Sequence, residues 1–195
     1  MEVNRSTVIQ DAVCGNGLAA AADLGAGDAI IEIANPYILV VEQASLDEVC
    51  SRCLLEIDTL KRCPRCEVAR YCSKPCQKDD WDAIHQLECK VLKKIKPKVP
   101  PTPVRALIQV LLTSKFGSAP DPRWKDLKSN QHRFSQARMS DIVLQATAAC
   151  KFAGFPSDMT SVTLAVGILC RVSSCTPHEL GYMIPIVHCV SMSRK

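Results

Sequence analysis

Apolar residues fall into differently patterned stretches along the chain. Over residues 13–49, short apolar runs alternate with glycine and proline, as in GNGLAAAADLGAGDAIIEIANPYILVVE. Short runs punctuated by turn formers predict strands. The pattern gives one strand, a turn at Gly25 and Gly27, a strand over 29–33, a turn at Asn35-Pro36 and a strand over 37–42. A sheet this small cannot bury both faces by itself.

The C-terminal half carries a helical pattern. Apolar residues recur at spacings of both three and four in SDIVLQATAACKF (140–152) and SVTLAVGILCRV (161–172). Each begins with a small polar residue able to cap a helix. Residues 104–112 are apolar, and a polar loop follows through 117–122. Before them, KPKVPPTPVR (96–105) holds four prolines and predicts an extended linker. No internal repeat is visible. The pattern as a whole is α+β, in five parts: 1–49, 50–89, a basic proline-rich linker over 90–105, a helical segment over 106–172 and a divergent tail over 173–195.

Composition narrows the class. The chain has 195 residues, enough for one or two small domains. No apolar stretch approaches the ~20 residues of a membrane span. The opening MEVNRSTVIQDAV lacks the apolar core of a signal peptide, so no membrane or secretory role is expected. The expected setting is reducing, in nucleus or cytoplasm, where clustered cysteines indicate metal rather than disulfides. Net charge is +4, unevenly spread. Lys61, Arg62, Arg65, Arg70, Lys74 and Lys78 face one acid, Glu67; Lys90, Lys93, Lys94, Lys96, Lys98 and Arg105 face none. A solvated face is the expectation for these runs; the functional alternatives are weak nonspecific nucleic acid contact, an acidic protein or an anionic cofactor.

The chemistry lies between the two halves. Cys50, Cys53, Cys63, Cys66, Cys72, Cys76, His85 and Cys89 form C-x2-C, C-x2-C, C-x3-C and H-x3-C within forty positions. Thiolate and imidazole are the preferred ligands of Zn2+, and eight of them complete two tetrahedral sites with no open corner. Such closed sites are structural, and binding should supply on the order of 10 kcal/mol or more of folding free energy per ion. A helix is expected from about Ser73, with Pro75 in its first turn, and a second over 79–92, where His85 and Cys89 share a face. Spacing leaves two pairings open: interleaved (Cys50, Cys53, Cys72, Cys76 with Cys63, Cys66, His85, Cys89) or sequential. Cys170, Cys175, His178, His188 and Cys189 are too irregularly spaced for a further site and are read as free thiols and unligated histidines.

The segment CSRC…LKRCPRCEVARYCSKPCQKDDWDAIHQLEC resembles a MYND zinc finger, with Tyr71, Gln77 and Trp81 at that family's usual places. The resemblance implies interleaved pairing and docking onto proline-containing peptides of partner proteins. The flanks GNGLAAAADLGAGDAII, KKIKPKVPPTPVRALIQVLL and ILCRV resemble the SET and MYND lysine methyltransferases, in which the finger is inserted into a split SET domain. In that family the Gly-x-Gly segment lies against S-adenosylmethionine; here the matching residues are Gly15, Asn16 and Gly17. Glycine lets a ligand approach the main chain closely.

The likeness stops near Val172. An Asn-His-Ser-Cys-x-Pro-Asn segment, a later catalytic tyrosine and three further zinc cysteines belong to the family's catalytic half, and the tail SSCTPHELGYMIPIVHCVSMSRK does not match them. No catalytic residue is assigned, and Tyr182 is given no such role. The expectation is a zinc-binding interaction module interrupted before the SET core and without activity as it stands. The alternative is an S-adenosylmethionine-dependent protein (histone) lysine methyltransferase whose catalytic half lies outside this sequence.

Overall fold

The computed structural model describes residues 4–11, 15–31, 38–115, 129, 131–156 and 158–173. Strand β1 (Ser6–Asp11) pairs antiparallel with β2 (Gly15–Ala20), in a register that sets Ile9 opposite Gly17 and Asp11 opposite Gly15. The pattern over 13–49 misses β1, because STVIQD precedes the punctuated stretch. The turn at Gly25 and Gly27 forms: Asp28 N–H donates to the Gly25 carbonyl, Gly25 N–H returns to the Asp28 carboxylate, and Gly27 takes φ 89°. Over the expected strand 29–33 there is a single bridge, Ile31 to Asn4, rather than a ladder. The Asn35-Pro36 turn lies outside the described residues. Val8 and Ile9 point to opposite faces of the hairpin, as successive strand residues must. They are 67% and 46% exposed, so neither face is covered.

Residues 38–42 make no strand pairing among the described residues. A helix later in the chain serves Leu39 instead: the buried Gln109 amide accepts from Leu39 N–H at 3.4 Å and donates to the Leu39 carbonyl at 3.3 Å. One side chain thus satisfies both backbone groups of Leu39, which a neighbouring strand would otherwise have paired.

Strands β3 (Lys61–Arg62) and β4 (Arg70–Tyr71) form a second antiparallel pair. Helix α1 (Lys74–Asp80), a π turn (Trp81–His85) and α2 (Gln86–Ile95) then run on without a break. Ser73 caps α1 by accepting from Cys76 N–H at 3.3 Å, with Pro75 in the first turn. The expected second helix is therefore the continuation of the first. The wider π turn delays the helix phase and resets which face His85 and Cys89 present, a use common for π turns at functional positions.

Three helices follow: α3 (Thr102–Lys115), α4 (Gln136–Ala153) and α5 (Met159–Ser173). The expected linker over 96–105 shortens accordingly, since α3 begins at Thr102 with Pro103 in its first turn, where a missing N–H costs nothing. Helix caps also shift. Ser135, not Ser140, caps α4 by accepting from Arg138 N–H, and Asp158 accepts from Ser161 N–H at 2.7 Å before α5. Gly154 closes α4 at φ 72°, with Phe155 N–H reaching back to the Cys150 carbonyl at 2.9 Å.

Helix α3 is buried at every position from Val104 to Leu112. It lies between the finger and the other helices, and this position explains why its apolar run has no polar face. Leu107, Ile108 and Leu111 pack with Ile142, Ala146 and Ala149 of α4 and with Ala165, Ile168 and Leu169 of α5. The alanines of α4 let the helices approach closely. A second core gathers Val41, Leu46, Val49, Val68, Tyr71 and Leu92 around the cysteines of the finger. No helix of the described residues is long and apolar enough to cross a membrane.

Candidate metal centres

The two C-x2-C turns supply half of each centre. Cys50 and Cys53 follow Val49, and their turn closes with Leu54 N–H on the Cys50 carbonyl at 3.0 Å. Cys63 and Cys66 lie between β3 and β4, where Glu67 N–H closes on the Cys63 carbonyl at 2.9 Å. The residue after each turn takes the left-handed conformation: Leu54 at φ 60° and Glu67 at φ 62°. The remaining ligands come from β4 and the long helix. Cys72 follows β4, Cys76 lies in the first turn of α1, His85 ends the π turn and Cys89 lies in α2.

These elements bring together Cys50, Cys53, Cys72 and Cys76 in one set and Cys63, Cys66, His85 and Cys89 in another, with the ligand atoms of each set within 4.8 Å of one another. This is the interleaved arrangement. Sulfur–sulfur distances are 3.7 Å for Cys53–Cys72, 3.5 Å for Cys72–Cys76 and 3.8 Å for Cys63–Cys89. Cys66 Sγ lies 3.6 Å from His85 Nε2. A tetrahedron with Zn–S near 2.3 Å and Zn–N near 2.05 Å has S–S edges of about 3.8 Å and S–N edges of about 3.6 Å. A disulfide would need a separation of about 2.05 Å, and all these cysteines are free. Both clusters thus fit two zinc ions.

The thiols of the two centres are shifted in both directions. Burial pushes the Cys66 thiol up, but the His85 ring and the backbone N–H groups of Ala69 and Val68 outweigh it and bring it to about 7. At Cys50 burial is likewise overcome by backbone N–H groups of Cys53, Arg52 and Cys72, again to about 7. Cys53 goes the other way: burial and the neighbouring Cys50 and Cys72 sulfurs raise it to about 12. Burial and the Cys63 and Cys66 sulfurs also raise Cys89. Sulfur crowding of this kind is relieved when thiolates share a divalent ion.

The second set is the more enclosed, with all four residues buried, whereas Cys53 of the first is exposed. Around it sits a shell of polar groups. His85 offers Nε2 to the sulfur set and turns Nδ1 toward Glu88 Oε2 at 3.5 Å. Glu88 Oε1 accepts from Arg105 Nε of α3 at 3.0 Å. Exposures are 0% for His85, 2% for Glu88 and 3% for Arg105, so the three form a buried charged line from metal centre to helical layer. Burial alone would raise the Glu88 carboxyl, yet the Arg105 guanidinium and His85 hold it at about 2. The 3.5 Å approach of His85 to Glu88 is an ion-pair contact rather than a hydrogen bond, and Nδ1 has no hydrogen-bond partner among the described residues. The rings of Tyr71 and Trp81 each meet the His85 ring at 6.0 Å, edge on, and the Tyr71 hydroxyl donates to Asp80 at 2.7 Å.

Glu88 and Asp80 were not singled out in the sequence, although the H-x2-E spacing of His85 and Glu88 on a helix was the available signal. Arg105 was counted in a solvated basic run and is instead buried. Lys96 of the same run pairs with Glu67 at 2.6 Å, and Arg70 of the other pairs with Asp47. Gly15, Asn16 and Gly17 lie in β2, opposite Asp11, Gln10 and Ile9. A Cβ at Gly17 would meet only Ile9 Cγ1 at 3.7 Å, an ordinary contact, so no close packing within the hairpin requires glycine there. Cys170 is buried in the helical core, while Cys175, His178, His188, Cys189 and Tyr182 lie outside the described residues.

Comparison with known proteins finds likenesses over these centres. Residues 50–89 match the MYND finger model. The chain is 38% identical over 132 residues to human histone-lysine N-methyltransferase SMYD3, covering 66% of this chain and 30% of that protein. It is 36% identical over 119 residues to SET domain and MYND-type zinc finger protein 6 of Schizosaccharomyces pombe, covering 59% and 24%. It is 27% identical over 180 residues to human N-lysine methyltransferase SMYD2, covering 87% and 41%. The chain thus spans less than half the length of each of these relatives. It carries a MYND finger of the kind found in SET and MYND proteins.

Proposed function

We propose that the finger of this chain docks proline-containing segments of partner proteins, with two zinc ions as its framework. The observation that carries this is coordination number: four protein ligand atoms gather at each centre, so neither offers a corner for water or substrate. Bound zinc would supply the geometry that holds β3, Gln77 and Trp81 in place, and no chemistry. Trp81 is half-buried, leaving ring surface for a proline to stack on. The β3 edge is the more open side of its sheet. The far side of β4 is covered, since Ser51 N–H donates to the Arg70 carbonyl at 2.7 Å and Arg70 N–H returns to Ser51 Oγ at 3.0 Å. An extended peptide beside a strand edge is a common docking mode.

Calorimetry of the zinc-loaded chain against a panel of proline-containing peptides tests this. Binding should occur and be lost in Trp81→Ala and Gln77→Ala, both still holding two zinc ions. Absence of binding across the panel refutes it. Nucleus and cytoplasm are the compartments that this reading proposes.

A second reading rests on the names of two of the relatives, SMYD3 and SMYD2, which are methyltransferases. In it, Gly15, Asn16 and Gly17 contact S-adenosylmethionine, and the chain is part of a larger lysine methyltransferase. Titration with S-adenosylmethionine, and methyl transfer from labelled donor, separate the two. Turnover above background by this chain would favour the second.

A further inference from the structure

Arg65 occupies the middle of the second C-x2-C turn, is exposed, and sets its guanidinium carbon 5.0 Å from the centroid of the Trp81 ring. Among the described residues no carboxylate pairs with it. Nearby acids are engaged elsewhere: Glu67 with Lys96 at 2.6 Å and Asp82 with Lys78 at 2.8 Å. A guanidinium lying on an aromatic face spends its own face on that contact. A guanidinium carries its N–H donors in a planar fork that fits a carboxylate, and no hydrogen bond to a described residue occupies those of Arg65. The stacking also orients the fork beforehand, which lowers the entropic cost of capture.

We propose that Arg65 is a specificity residue of the docking surface, selecting partner segments that carry an Asp or Glu side chain beside the proline. This rests on the docking reading above and names the partner's charge. The proline would use the Trp81 ring while the carboxylate enters the Arg65 fork. Lys61 and Arg62, both exposed on β3, add positive potential along the same approach. An acidic peptide fits this better than a nucleic acid, because Asp79 and Asp82 flank Trp81 in sequence and would oppose a polyanion lying across it.

The test is fluorescence anisotropy of labelled proline peptides differing only in Glu or Gln beside the proline, titrated with zinc-loaded chain. The Glu peptide should bind about tenfold more tightly at low salt, in keeping with a charge-assisted hydrogen-bonded pair. The difference should vanish in Arg65→Ala and survive in part in Arg65→Lys, which keeps charge but not the fork. Metal analysis showing two zinc ions in each variant establishes that the turn is intact, since Arg65 is not a ligand. Equal affinity of the wild-type chain for both peptides overturns the proposal and leaves the docking reading standing. Failure of both peptides to bind overturns both. An oligonucleotide that displaces the Glu peptide and itself depends on Arg65 assigns the fork to phosphate, and overturns the proposal too.

Discussion

Replacing Arg105 by Met should destabilise the chain far more than loss of a surface arginine. Among the described residues, Glu88 keeps its buried charge beside Arg105 Nε, a hydrogen bond at 3.0 Å, and His85 Nδ1, an ion-pair contact at 3.5 Å. With Glu88 2% and Arg105 3% exposed, water replaces neither. Removing one partner of a buried ion pair strands the other and costs about 3–5 kcal/mol, whereas replacing both is far less costly. Arg105→Met should therefore lose about 3–5 kcal/mol, and Glu88→Gln a similar amount by stranding Arg105. The double variant should return to within roughly 1–2 kcal/mol of the wild type, because a neutral amide beside His85 and a thioether among apolar side chains leave no buried charge. Urea unfolding followed by circular dichroism measures the cycle, with free zinc held constant because bound metal stabilises the folded state. A cost below about 1 kcal/mol for Arg105→Met, or a double variant as unstable as the sum of the singles, refutes the reasoning.

Four further outcomes are expected. Metal analysis should find two zinc ions per chain, one of which is lost in Cys53→Ser; cobalt substitution should give distinct absorption for the all-sulfur set and for the set containing His85. A zinc chelator should strip the first set sooner, because Cys53 is exposed and the second set is buried throughout; equal release rates of the two ions would contradict this. Glu67→Gly should stabilise the chain by up to about 1 kcal/mol in urea unfolding at fixed free zinc, since glycine adopts φ 62° without strain and the exposed Lys96 pair contributes little. Ala149→Leu should cost about 1–3 kcal/mol in thermal unfolding by overpacking the α3–α4–α5 core, whereas the same change at the half-buried Ala148 should be far milder.

Local chemistry made much of this molecule legible. The eight ligands declare themselves through spacings that only a shared ion explains, and the capping role of Ser73 and the tolerance of Pro75 follow from helix ends as such. The α4 and α5 periodicities place both helices to within a few residues. Where the pattern misplaced a boundary, a neighbour outside the window was responsible. Asp158 caps α5 from three residues before Ser161, and Thr102 starts α3 inside a proline-rich stretch because three of its prolines precede the helix and one falls in its first turn. Residues 38–42 look like a strand by composition, but their backbone partner is a glutamine seventy positions away.

Arg105 marks the division most clearly. In the sequence it closes a run of cations and reads as solvated. In the fold it enters a buried line with Glu88 and His85, because α3 packs against α2 and leaves its charge no route to water. Likewise Arg65 is one basic residue among several until the turn carries it over Trp81. The sequence by itself marked the eight Cys and His residues of the two clusters and the helix start near Ser73, since metal coordination and helix formation depend on residue type and short spacing, but not β3, β4 or the π turn. Only the tertiary structure decided which ligands pair, which charges are buried and which cation faces an aromatic ring. Those depend on contacts between elements far apart in the chain, and local spacing carries no information about them.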